Sequence, residues 1–251
     1  MPTEIPSKYR NSLESFQNTA RRLFDIDISE AQLKQFAIFT DLLLEWNERI
    51  NLTAITELDE IMVKHFLDSL IFCKWLDRSS FKENIVLADL GTGAGFPGIP
   101  LKIIFPQMKI VLIDSLNKRI NFLNIVKKEL CLENLETHHA RAEDIGRDIN
   151  FRQTFDIVVA RAVAELAVLL EYCSPLLKVG GHLLAAKGQN PEAEVTSSQR
   201  ALAELNCKLE MIEKYSLAEN ADKRSLIIIS KTGNTPQKYP RQAGKPKKKP
   251  L

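Results

Sequence analysis

Ala88 to Pro100, read ADLGTGAGFPGIP, decides how the rest of this chain is understood. The apolar run just before it, Ile85 to Leu87, has the length and β-branched content of a strand buried on both faces. Gly91, Gly93 and Gly95 then allow positive φ and let a ligand approach the backbone with no Cβ between them. Pro97 and Pro100 mark the first turn of a helix, where a missing N–H costs nothing. A strand, a glycine turn and a helix start together form a cradle for a nucleotide-like molecule.

The spacing narrows the ligand. A dinucleotide fingerprint, G-x-G-x-x-G, would need its third glycine at position 96, and that residue is Phe96. Asp114 stands at the end of a second apolar run, Lys109 to Ile113, where a carboxylate can accept from ribose hydroxyls. D-x-G-x-G-x-G followed by that acid resembles the S-adenosylmethionine site of Rossmann-like methyltransferases. Three glycines alone would equally suit an ordinary tight loop; the pairing with Asp114 is what favours a nucleotide-type ligand.

Outward from the cradle, residues 1–76 read as helical. Leu13, Phe16, Ala20, Leu23 and Phe24 recur at helical spacing, and Ser29 with Gln32 forms a capping-box pattern opening a longer helix to about Trp46. KHFLDSL lies in a further helical stretch, Leu58 to Leu76, that puts His65 and Asp68 on one face. A lone His–Asp pair is more often a local hydrogen bond than a catalytic dyad, so both are kept only as residues facing the cleft.

From Ile85 strands alternate with helices, ending in strands near Leu209 to Tyr215 and Ser225 to Ser230. This pattern predicts a mainly parallel, doubly wound α/β sheet with an N-terminal helical extension. The expected division is a helical cap over 1–76, a core over 77–231 and a basic tail over 232–251. Function in such a sheet gathers at the carboxyl ends of the strands. The residues there are Asp89 to Phe96, Asp114 and Ser115, Arg141 to Glu143, Arg161 and Lys187. Arg161 and Lys187 could pair with local acids such as Glu165, but cations converging beside an adenosine site suit a phosphate-bearing substrate.

Charge is uneven along the chain. Residues 231–251 hold seven Lys or Arg and no acid, whereas residues 1–230 hold 27 basic against 32 acidic groups, a net −5. A tail such as KYPRQAGKPKKKPL is too polar and proline-rich to pack by itself and suits a polyanion. The four cysteines are widely spaced, without a C-x-x-C pair or clustered histidines, so reduced thiols and no metal are expected. With no apolar stretch of spanning length and no signal-peptide core at MPTEIPSKYR, a cytoplasmic protein is expected.

WNERINLTAI at 46–55, KHFLDSL at 64–70, DLGTGAGFPGIPL at 89–101, LIDSLNKRINFL at 112–123, ARAVA at 160–164, AAKG at 185–188 and the ending YPRQAGKPKKKPL resemble the bacterial RsmG family, also called GidB. The resemblance spans about Leu43 to Leu251. It implies a class I, Rossmann-like enzyme that methylates N7 of one guanosine in 16S ribosomal RNA with S-adenosyl-L-methionine. Family cofactor-binding positions map onto Gly91, Phe96, Ala142, Glu143 and Arg161; Asp114, as ribose acceptor, comes from the general fold. Phe96 would pack against the cofactor, and Ala142 with Glu143 would read adenine edges. Arg161 and Lys187 would position the base or its phosphate, Arg141 the RNA backbone, and the tail would add electrostatic affinity. The partner is then 16S rRNA or a small-subunit precursor, with no membrane and no metal, and the chain is expected to act as a monomer. A methyltransferase with another substrate and a non-catalytic RNA-binding module are the rival readings.

Overall fold

A computed structural model describes residues 5–78, 85–217 and 223–251. A short 3-10 turn, Ser7–Tyr9, leads into α1 (Arg10–Phe24) and α2 (Glu30–Ile50). The capping box is present: the Ser29 hydroxyl accepts from the Gln32 N–H, and the Gln32 side chain accepts from the Ser29 N–H at 2.8 Å. α3 (Leu58–Glu60), a π-helical stretch over Ile61–Leu67 and α4 (Asp68–Arg78) then run end to end.

The alternating half follows as β1 (Val86–Leu90), α5 (Gly98–Ile104), β2 (Lys109–Asp114), α6 (Asn117–Glu129), β3 (Leu135–His139), α7 (Ala142–Ile145), β4 (Phe155–Arg161), α8 (Leu166–Cys173) and β5 (Leu177–Lys187). After it come α9 (Pro191–Ser197), α10 (Gln199–Glu204), β6 (Cys207–Tyr215), β7 (Arg224–Lys231) and α11 (Lys245–Lys248). The polar stretch between β5 and β6 thus forms two short helices, α9 and α10. They meet at Ser198, whose hydroxyl donates to the Glu194 carbonyl at 2.7 Å and competes with the backbone ladder.

Among the described residues the sheet has seven strands in the order β3-β2-β1-β4-β5-β7-β6. β1 through β5 pair in parallel, while β7 lies antiparallel to both β5 and β6. Side chains alternate between two cores as the pleat requires. Leu87, Leu112, Val159 and Leu184 join a core with the N-terminal helices, and Ala88, Val111, Val158 and Leu183 join another with α8 and α10. Phe16, Phe36, Phe39 and Phe66 pack ring on ring within the first of these, Phe39 stacked on Phe66 and Phe16 edge-on to Phe36. The helical extension therefore covers one face of the sheet.

The C-terminal stretch, expected not to pack by itself, is packed against the α8 face. The Arg152 guanidinium donates to the carbonyls of Thr235 and Tyr239, both at 2.9 Å, and Arg147 donates to that of Pro240 at 2.9 Å. Tyr239 and Pro246 are buried, and Arg241 pairs with the fully buried Glu171 at 2.6 Å. Polar composition did not prevent packing because the partners of these backbone groups come from elsewhere in the chain.

Candidate active site

The strand order reverses between β1 and β4, so the loops after them diverge and leave a crevice at the carboxyl edge of the sheet. The glycine turn forms one wall. The N–H groups of Gly91 and Thr92 donate to the Ile113 carbonyl at 2.8 and 3.1 Å, and that of Gly93 to an Asp114 carboxylate oxygen at 2.9 Å. Gly91 has φ +73°, and a Cβ there would lie 2.8 Å from the Val163 Cγ2. Below the turn, buried Asp89 accepts from the Thr92 hydroxyl at 2.7 Å and from the Gly98 N–H at 2.8 Å, tying the turn to the start of α5. Its other oxygen is buried without a partner among the described residues, and burial pushes the carboxyl up to about 6.

A cavity of about 540 Å³ opens beside this turn, lined among others by Gly91, Asp114, Arg141, Ala142, Glu143 and Tyr172. Its size is in the range that small ligands occupy. Of the residues named from the sequence, Gly91, Asp114, Arg141, Ala142 and Glu143 thus line one cavity. Phe96 is not among the lining. Its ring stacks on His65 at 4.5 Å and packs on Phe39 at 5.3 Å, because the helical extension offers an aromatic core that the sequence of the core domain alone does not reveal.

A second cavity, about 450 Å³, shares Ala162 with the first and is lined by Asp68, Arg161, Lys187, Tyr215, Lys223 and Arg224, among others. Asp68 is its hub. One carboxylate oxygen lies 2.8 Å from Arg161 and 2.7 Å from Arg224, and the other accepts from the Tyr215 hydroxyl at 3.0 Å. The local-acid possibility weighed in the sequence holds for both predicted cations, with different acids. Arg161 pairs with Asp68 rather than Glu165, and lies 5.2 Å over the Phe96 ring. Lys187 pairs with Glu194 at 2.6 Å and donates to the Ala164 carbonyl at 2.6 Å, so its ammonium fixes the loop after β4. Ala162, at the shared edge, has φ +55°, a conformation a non-glycine residue holds only when its surroundings impose it.

Sequence reasoning missed Arg224, Lys223 and Tyr215. The candidates named from the sequence lie just past the strands of the parallel half, but β7 is antiparallel to β5, with Ser225 opposite Lys187. The start of β7, not its end, therefore reaches the functional edge. The signal available was the Lys223-Arg224 pair preceding an apolar strand.

His65 sits behind this cluster. Its Nε2 is 2.8 Å from the Thr53 hydroxyl, and burial, with Arg161 and Arg224 nearby, lowers its pKa to about 4. The unfolded chain thus binds a proton from the usual 6.5 downward that the folded chain refuses, so this residue's contribution to stability is lost as pH falls toward 4. Asp89 acts oppositely: its raised pKa removes stability as pH rises from 3.8 toward 6. Urea unfolding of His65→Gln beside the parent chain, at several pH values across that window, is expected to show a shallower acid-side loss in the variant; parallel curves would remove His65 as the cause.

Among the described residues, no helix is long and apolar enough to cross a membrane, and no cluster of His, Cys, Asp or Glu could hold a metal ion. Residues 32–226 match the family described as rRNA small subunit methyltransferase G, GidB. The chain is similar to proteins named ribosomal RNA small subunit methyltransferase G from Desulfitobacterium hafniense, 51% identical over 231 residues, and Acetivibrio thermocellus, 49% identical over 228 residues. These alignments cover 92% and 91% of this chain and 94% and 92% of the relatives. Among solved structures, a point mutant of MtNAS superposes with a TM-score of 0.54 at 13% identity, covering 90% of this chain and 88% of that one, a likeness of fold.

Proposed function

Because the chain belongs to the rRNA small subunit methyltransferase G family, we propose that it methylates N7 of a guanosine in 16S ribosomal RNA, with S-adenosyl-L-methionine held beside the glycine turn. The observation that carries this reading is the pair of cavities meeting at Ala162, one floored by a carboxylate and one rimmed by cations.

The residues of the first cavity fit the donor. An ionised carboxylate has about four lone-pair positions. Asp114 uses three, accepting from Gly93, Leu116 and Arg119. One direction remains for a ribose hydroxyl, and Gly91 leaves the backbone open where a side chain would collide with Val163. When bound, the donor supplies an electrophilic methyl group on a sulfonium.

Guanine N7 carries a lone pair and no proton, so this chain needs no general base. Its task is alignment, an effect that contributes on the order of 7–11 kcal/mol in favourable cases. Arg161 and Arg224 share the single charge of Asp68. This trio thus carries one net positive charge, beside Lys223 in the same lining, to meet an RNA phosphate. Lys187 acts by holding the Ala164 carbonyl, and with it the loop carrying Ala162 between the two cavities. Arg141 is exposed at the rim, placed for the RNA backbone.

Lys187→Ala is expected to lower single-turnover methyl transfer by about tenfold or more while cofactor affinity stays within about twofold, since the change removes positioning rather than uniform binding. Equal loss in calorimetry and in turnover would contradict that role. The function itself is tested by incubating the protein with labelled donor and ribosomal RNA, free or in small subunits, from cells lacking the enzyme, then mapping the label. Label at guanine N7 supports the proposal. Label on a protein or small molecule, or donor binding without transfer, would replace it with one of the rival readings.

A further inference from the structure

We propose that the C-terminal segment, Tyr239 to Leu251, forms part of the methyl donor's binding site, with Lys247 as a binding residue and the Arg241–Glu171 pair as the latch holding it there. This rests on the donor occupying the cavity beside the glycine turn. Gly244 and Lys247 line that same cavity, together with Gly91 and Asp114.

The placement is built rather than incidental. α11 spans only Lys245–Lys248 and cannot hold itself in position. It is held by buried protein groups. The Arg241 guanidinium donates to both oxygens of Glu171, which is fully buried, and the Arg241 N–H donates to the same carboxylate at 2.7 Å. Three residues on, the Gly244 N–H donates to a Glu143 oxygen at 2.8 Å, and Tyr172 donates to that oxygen at 3.3 Å. Glu143 and Tyr172 line the cavity as well, so one buried carboxylate joins the segment to the wall of the site.

Charge supports the assignment. Of the seven cations in 231–251, Lys231 is buried against the carbonyls of Ser174 and Leu177, Lys238 lies 3.7 Å from Glu204, and Arg241 is held by Glu171. Lys245, Lys247, Lys248 and Lys249 remain exposed, and of these Lys247 alone lines the cavity. Arg119, another cation of the lining, is taken by Asp114 at 3.2 Å. Lys247 thus brings an ammonium with three donors to a ligand whose one anionic group is a carboxylate and whose ribose oxygens also accept.

The test is calorimetric titration of the full chain and of Lys247→Ala with S-adenosyl-L-methionine, together with amide hydrogen exchange of residues 239–251 with and without the donor. The exposed side chain makes an unchanged melting temperature the expected fold control. The variant should bind about tenfold more weakly, the loss typical of a hydrogen bond to a charged group, and the donor should slow exchange from Gly244 onward in the parent chain. Unchanged donor affinity in Lys247→Ala overturns the proposal, even if RNA affinity falls, and so does exchange in 239–251 that ignores the donor. If the parent chain binds no donor, the reading of the cavity fails first, an outcome separate from a parent that binds and a variant that binds equally.

Discussion

Asp68→Ala is expected to lower the unfolding free energy by about 3 kcal/mol, the low end of the range for removing one partner of a buried ion pair. Asp68 is 1% exposed and is the shared counter-ion of Arg161 and Arg224. Without it two guanidinium groups face each other, and the Tyr215 hydroxyl loses its acceptor. The low end applies because the Arg224 side chain is 30% exposed and water can take up part of its charge. Asp68→Asn should fall between, since the amide keeps an acceptor but not the charge. Methyl transfer should drop by more than stability requires, because both arginines line the second cavity. Urea titrations give the first quantity and single-turnover assays well below the unfolding midpoint give the second; a change in unfolding free energy under about 0.5 kcal/mol, the scale of ordinary surface substitutions, would mean that Asp68 is not the hub the geometry makes it.

Gly91→Ala is expected to weaken donor binding by about tenfold or more, through two separable causes. Left-handed backbone costs a residue with a Cβ roughly 1–2 kcal/mol, and at φ +73° Gly91 lies in that region. The new Cβ also meets Val163 at 2.8 Å, closer than van der Waals contact allows. Relief of one by movement disturbs the N–H groups that tie the turn to Ile113 and Asp114. Adding Val163→Ala should recover the collision part and leave the backbone part. Calorimetry on the parent, both single variants and the double variant completes the cycle. Full recovery in the double variant would show that only the collision mattered, and no loss in Gly91→Ala would show that the donor does not depend on this turn.

Much of the site was legible in the residue order because its pieces are local. The glycine turn, the apolar strand before it and Asp114 after the next strand follow one another closely along the chain, and β1 is buried on both faces as an unbroken apolar run requires. Phe96 was legible as a residue of the turn but not in its direction. Its ring belongs to the aromatic core of the helical extension, whose Phe39 and His65 are distant in sequence. The cations were legible as positions and not as partners, since Arg161 and Asp68 are 93 residues apart and Arg241 and Glu171 are 70 apart.

By itself, then, the sequence determined the strand–glycine–helix cradle and the carboxylate that floors it, because backbone freedom at glycine and the periods of burial act within one turn or one strand. Only the tertiary structure decided that β7 runs backward and carries Arg224 to the functional edge, that Lys187 spends its charge on a loop, and that the basic C-terminal stretch is packed. Those outcomes depend on which distant carboxylate or carbonyl offers the better buried contact, and a buried charge takes its partner from the folded neighbourhood rather than from its neighbours in the chain.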